Sequence, residues 1–216
     1  MSTHPSWPTS PARRGSAPKP IVPVPQNLHE YDPLGCYVPL VQRLVALRQE
    51  RNSGIVAAFS AISRGAGVTF VTESLAWELV RQTGEQILLT TPAGLSVAAA
   101  TRFGEEEKNG LQPVRRLPGA RNSGVPLRDL GRQDLESLRR RFGFVLVDCP
   151  PMRESSAILS VSKLCDGVAL VIAAGEARRS EIEHAGSVLQ AGSANVLGLI
   201  LNKRRDPVPK FISKFL

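Results

Sequence analysis

Five consecutive residues, Gly65-Ala66-Gly67-Val68-Thr69, have the types and spacing of a phosphate-binding loop, set between a short apolar run and an amphipathic pattern. Such a loop wraps backbone N–H groups around phosphate oxygens and aims a helix N-terminus at them. Glycines serve where the backbone approaches the anion too closely for a Cβ. The order follows the G-x-G-K-[ST] core of a P-loop with one departure. Val68 stands in the lysine's place, and a branched aliphatic neither reaches nor neutralises β- and γ-phosphate oxygens. Thr69 keeps the hydroxyl that these loops offer to magnesium, and Arg64 just upstream is a candidate replacement for the missing cation. Taken alone, the stretch reads more readily as a plain strand–turn–helix corner than as a phosphate site.

Asp148 adds a second feature. Phe144-Val-Leu-Val-Asp148-Cys-Pro-Pro151 is an apolar strand ending in an acid. In P-loop proteins an aspartate at that place holds the magnesium shell together with the loop hydroxyl. Loop and acid in this order, with room for βα units between them, are far more specific than either alone. A third feature is the C-terminal pair of apolar runs. Cys165-Asp166-Gly167 leads into Val168–Ala174, and Asn195-Val-Leu-Gly198-Leu-Ile-Leu ends in Asn202.

The elements that must position these residues follow from hydrophobic periodicity. Leu40, Leu44 and Leu47 recur at helical spacing in 38–50, as do Phe70, Leu75, Leu79 and Val80 in 68–83, where Gly84 is a natural C-cap. Strands are expected at 55–60, 86–90, 111–117, 144–148, 167–173 and 195–202. Further helices are expected at 95–103, 129–142, 155–164 and 178–190. Apolar strands alternating with helices predict βαβ units and a parallel sheet covered on both faces.

Bulk composition bounds the rest. The chain has 216 residues, of which 42% are hydrophobic and 21% charged, enough for one sizeable core. Prolines and serines crowd residues 1–33, which should form a disordered arm. Three cysteines (Cys36, Cys149, Cys165) with no C-x-x-C pair argue against a disulfide framework or a zinc site. The longest clean apolar run, Val168–Ala174, is a buried strand and too short to span a bilayer. A net charge of +8 favours an anionic partner, but no aromatic and basic interleaving points to nucleic acid. The tail 205–216 combines Lys210 and Lys214 with apolar residues, so it can meet a membrane surface or dock on protein.

With the three motifs together, the chain resembles the MinD/ParA-like P-loop superfamily, and within it the bacterial tyrosine kinases of capsule and exopolysaccharide synthesis. The resemblance spans roughly 38–203 and is strongest over 142–202. It implies a three-layer P-loop NTPase-like α/β domain over 34–204 with a mostly parallel central sheet. It also implies an ATP or ADP site at Arg64, Gly65, Ala66, Gly67, Val68 and Thr69, with Asn202 reading the adenine. Magnesium would be held by Thr69 and Asp148, and Asp148 would carry any catalysis.

The departures are equally specific. The lysine is Val68, and the family's Asp-x-Asp after the second strand is replaced by Thr90-Thr91-Pro92-Ala93-Gly94. The tyrosine-rich tail is absent, and the only tyrosines are Tyr31 and Tyr37. The arginine-bearing oligomerisation helix is faintly echoed by Arg43 and Arg48. Phosphoryl transfer depends on positioning and charge neutralisation, and one lost donor costs on the order of 10²–10³ in rate. The expectation is therefore a degenerate, kinase-like regulator or scaffold. It would be cytoplasmic or peripheral to the inner membrane and partnered with a membrane polysaccharide co-polymerase, with a homo-oligomer allowed. Two alternatives stand beside it: an active autokinase using Arg64 on Tyr31 or Tyr37, and a ParA/MinD-like positioning ATPase.

Overall fold

The computed structural model describes residues 37–100, 113–117 and 132–203. The N-terminal arm with Tyr31 and Cys36, and the tail 205–216, lie outside the described residues. In chain order the elements are α1 (Val38–Arg51), β1 (Ile55–Ala61), α2 (Val68–Thr83), β2 (Ile87–Thr90), α3 (Pro92–Ala100) and β3 (Val114–Leu117). There follow α4 (Arg132–Arg141), β4 (Phe144–Asp148), α5 (Ala157–Ser162), β5 (Gly167–Ala173), α6 (Arg179–Ala191) and β6 (Val196–Asn202).

All five strand pairings are parallel, in the order β3-β2-β4-β1-β5-β6. The chain leaves β1 toward β2, β3 and β4 on one side, then crosses to β5 and β6 on the other. This reversal at β1 is the switch point at which open α/β sheets bind ligands, beyond the carboxyl ends of their strands. Both β1 and β5 are buried along their whole length, as central strands covered on both faces must be.

Two helical layers do the covering. Val41 and Leu44 of α1, with Leu75, Ala76 and Leu79 of α2, pack on Ile55, Ala57, Phe59, Ile87 and Leu146. On the opposite face Leu95, Leu135, Leu138, Ile158, Val161 and Leu189 pack on Val56, Val145, Val168 and Leu170. The three-layer expectation therefore holds, and the sheet is wholly parallel.

The periodicity reading needs three corrections. In α1 the buried face is Val41 and Leu44, with Leu40 and Leu47 only partly covered, because the helix meets α2 along one narrow stripe. Phe70 points outward with 52% of its surface exposed, although Leu75 and Leu79 are buried as expected. The last strand is not covered on both faces. β6 is a sheet edge, and Leu199 and Leu201 are 56% and 62% exposed. A register shift between Val168 and Ala169 accompanies Gly198, whose φ is 153°, and turns those two leucines to the open side. In addition, α3 begins at Pro92, earlier than expected, because Pro92 suits a first helical turn and the Gly94 N–H donates to Thr91 Oγ1 (3.2 Å).

A buried charge network locks the amino ends of the central strands β1 and β5, the end of the sheet away from the glycine loop. The Asp166 carboxylate accepts from the Val56 N–H (2.8 Å) and from Arg139 Nη2 (3.0 Å), and pairs with Arg51 Nη1 (2.9 Å). Arg139 also donates to the Gly54 carbonyl (2.7 Å). The Asp166 side chain is 2% exposed, and that of Arg139 6%. Asp166-Gly167 is thus a structural motif. The aspartate ties β1, β5, α1 and α4 together, and a Cβ on Gly167 would collide with Leu197.

Candidate functional site

The carboxyl ends of β1, β4 and β6 converge on the glycine loop. Gly65 and Gly67 have φ of 84° and 86°, in the left-handed region that disfavours residues with a Cβ. Gly67 is the N-cap of α2, so the loop delivers the helix N-terminus with its unpaired N–H groups. β4 is fixed beside it. The Cys149 N–H donates to Phe59 O (2.8 Å), the Met152 N–H to Ala61 O (2.8 Å), and Ser60 Oγ to Pro150 O (2.8 Å). A cavity of about 530 Å³ lies between the two segments. It is lined by Ser63–Thr69, Thr91, Pro92 and Asp148–Pro151, and its size falls in the range of small-ligand sites.

Thr69 and Asp148 meet within the cavity wall, Thr69 Oγ1 donating to Asp148 Oδ2 at 2.6 Å. Burial pushes the Asp148 carboxyl above its usual range, opposed by the Thr69 hydrogen bond and the positive charge of Arg116, while Glu73 adds to the push. A folded-state pKa raised above the unfolded value means that the ionised form is disfavoured by folding. The penalty is present at neutral pH and disappears as pH falls through the folded pKa. Asp148→Asn, which still accepts from Thr69, is therefore expected to raise the melting temperature at pH 7. The gain should vanish on acidification toward the ordinary carboxylate range, as thermal unfolding against pH will show.

Val68 does not point a lost function into solvent. It is half-buried and packs with Tyr37 and Ile200 in a small apolar cluster over Ala61, Val71 and Val171. Arg64, the candidate substitute, lies in the cavity rim, with its side chain 84% exposed and in an ion pair with Glu154. Asn202 reaches the loop, where its Nδ2 donates to Ala66 O at 2.8 Å. This bond clamps the end of β6 to the loop, and Lys203 follows with its Nζ at 4.0 Å from where a Gly65 Cβ would stand. All of the expected loop residues, with Asp148 and Asn202, are thus brought together.

Gly67→Ala tests the clamp. The new Cβ would overlap the Asn202 amide and hold φ in a disfavoured region. The expected loss is about 2 kcal/mol or more, from the strain plus the broken hydrogen bond. Denaturant unfolding will measure it, and a change within about 0.5 kcal/mol would refute the clamp.

Among the described residues Asp148 is the one carboxylate lining the cavity, and Thr91 and Pro92 stand where further acids are expected from the resemblance. Magnesium takes six oxygens and is held by one or two carboxylates plus substrate phosphates. Thr69 and Asp148 offer two oxygens that are already bonded to each other, with Arg116 close enough to act on the carboxylate. This hydroxyl and carboxylate are the pair that would share a magnesium ion with substrate phosphates. Sequence reasoning did not single out Glu154, Glu73 or the role of Arg116. The signal for Arg116 was only a pair of arginines in a short strand.

No protein-family model matches the chain. The tyrosine-protein kinase CpsD of Streptococcus pneumoniae serotype 4 is 24% identical over 181 residues, covering 72% of this chain and 79% of that protein. The kinase domain of the Escherichia coli tyrosine kinase ETK superposes with a TM-score of 0.57 at 21% identity, covering 82% of each chain. A plasmid partition protein from Borrelia burgdorferi B31, solved with AMPPNP, gives 0.50 at 14% identity, covering 75% of this chain and 81% of the other.

Proposed function

We propose that this chain, a homologue of the CpsD tyrosine-protein kinases, is a kinase-like regulator or scaffold of capsule or exopolysaccharide assembly that no longer transfers phosphate. The observation that carries this reading is the cavity's electrostatics. The lysine position is an aliphatic packed on the apolar cluster of Ala61, Val71 and Val171, and Asp148 is the one carboxylate among the described residues of the lining. Transition-state charge in phosphoryl transfer needs several preorganised cations and metal-holding acids, and the described lining offers one of each, Arg64 and Asp148.

The cradle itself persists. Two left-handed glycines, a helix N-terminus, Thr69 and the Asn202 clamp form a concave site. It would take ADP or ATP weakly through backbone N–H groups, with Arg64, Gly65, Ala66, Gly67, Val68 and Thr69 around the phosphates and Asn202 near the base. In this reading nucleotide occupancy sets the loop's conformation, and the partner is the cytoplasmic end of a membrane polysaccharide co-polymerase. The protein works at the inner face of that membrane, although no helix among the described residues is long and apolar enough to cross it.

The autokinase alternative draws less support, because Arg64 is paired with Glu154 and Tyr37 packs on the apolar cluster of Ala61, Val71 and Val171. The test has two arms. Incubation with radiolabelled ATP and magnesium is expected to leave the chain unlabelled, and affinity capture from solubilised membranes is expected to recover a chain-length-determinant-type protein. Label on Tyr31 or Tyr37 that Asp148→Ala abolishes would replace this reading with the autokinase. Recovery of soluble nucleoid proteins alone would replace it with a positioning ATPase.

A further inference from the structure

Among the described residues β6 is an open edge of the sheet, paired with β5 on one side only. Such an edge presents unpaired backbone N–H and C=O groups, and proteins cover or charge it. Here it carries Leu199 and Leu201, two positions apart and so on one face of the strand. Both are more than half exposed, and among the described residues the other large apolar side chain in that state is Phe70. The strand ends in Asn202, whose amide holds the glycine loop through Ala66 O. Fraying of this edge would therefore reach the clamp on the loop.

The chain carries a segment suited to cover it. Phe211, Ile212, Phe215 and Leu216 recur at i, i+1, i+4 and i+5, a spacing that gathers them on one side of a helical turn. Lys210, Ser213 and Lys214 fall on the other side of that pattern. The tether from Asn202 to Phe211 extends to about 30 Å when stretched. The seven residues of β6 span roughly 20 Å, so the apolar group reaches any point along the strand. Pro207 and Pro209 restrict the tether, which reduces the entropy lost on docking. A short tether also holds the group at an effective concentration on the order of millimolar, which favours it over a second copy or a separate partner.

We propose that Phe211, Ile212, Phe215 and Leu216 dock on Leu199 and Leu201 of the same chain and cover the open edge at β6. The proposal does not depend on the cavity taking a nucleotide.

The full chain with photoreactive benzoylphenylalanine in place of Phe215 tests it, because irradiation links that ring to its nearest neighbours. The link is expected to map to the peptide holding Leu199 and Leu201. It should stay within one chain when nitrogen-15-labelled and unlabelled copies are mixed. Leu199→Ser with Leu201→Ser should remove most of the link while the protein still melts cooperatively. Independently, Phe211→Ser with Phe215→Ser, which leaves every described residue in place, should speed hydrogen exchange of the β6 amides about tenfold. A link to another part of the fold overturns the proposal. So does a link between labelled and unlabelled chains, which would put a second copy on the edge. Adducts to lipid alone, formed when phosphatidylglycerol vesicles are present, would make the segment a membrane anchor and overturn it as well. Unchanged exchange of the β6 amides in the Phe211→Ser, Phe215→Ser variant has the same consequence.

Discussion

Asp166→Ala is expected to destabilise the protein by about 3–5 kcal/mol, the cost of leaving a buried charge without its partner. Substituting alanine strands Arg139, whose side chain is 6% exposed, and orphans the Val56 N–H at the start of the central strand. The Arg51 pair from α1 goes with it. For a chain of this size each kcal/mol shifts the melting temperature by roughly 2–4 °C, so a fall on the order of 10 °C should appear in a thermal melt. Asp166→Asn keeps an acceptor for the Val56 N–H and loses only the charge, so it should fall between wild type and alanine. A double replacement, Asp166→Leu with Arg139→Met, removes both charges and should recover much of the loss, because a well-packed apolar pair of similar volume matches a buried ion pair. If Asp166→Ala melts within 2 °C of wild type, the network contributes little and the Asp166-Gly167 motif has another cause. The network lies at the amino ends of the strands and the glycine loop at their carboxyl ends, so nucleotide binding below the melting transition should be unchanged.

Val68→Lys is expected to tighten ADP and ATP binding about ten- to a hundredfold without creating a kinase. The lysine would start at the first residue of α2, where a P-loop ammonium normally meets β- and γ-phosphate oxygens. A charge-assisted contact of about 1.5–3 kcal/mol corresponds to that range of affinity. The cost is the apolar contact with the cluster of Ala61, Val71 and Val171, part of which a lysine stem retains. Phosphoryl transfer should stay absent, because Asp148 would still be the single acid among the described residues of the cavity and Thr91 and Pro92 would still occupy the second acidic position. Titration calorimetry reads the first effect and radiolabel transfer the second. Efficient labelling of Val68→Lys would mean that one residue separates this chain from an active kinase, which contradicts the scaffold reading. Unchanged affinity would mean that phosphates do not lie at the start of α2.

The order of elements was legible because it rests on local rules. Gly84 caps α2 as read, with its N–H on Val80 O at 2.8 Å and φ of 66°. The apolar runs at 55–60 and 167–173 became strands buried along their whole length, and 144–148 one buried up to Asp148, because β-structure shielded on both faces leaves no polar alternation. Burial within an element was less legible. Phe70 and Leu75 look alike in a helical count, yet one faces solvent and the other the core, since the entry angle of α2 comes from Gly67 and not from apolar spacing. Leu199 and Leu201 read as core and lie on an open edge, because neither strand order nor a register shift is written in one strand's own residues.

The same division runs through the site. By itself the sequence determined the loop, the acid at the end of β4, the asparagine at the end of β6 and the absence of the lysine. Those features depend on residue identity at fixed spacing, and each was found in place. Tertiary structure alone decided that Val68 packs on Ala61, Val71 and Val171, that Arg64 belongs to Glu154, and that Arg116 is held by Glu73. These pairings join residues from strands and helices that the sheet order brings together. An electrostatic environment is a sum over such neighbours, falling with distance in space and indifferent to distance along the chain.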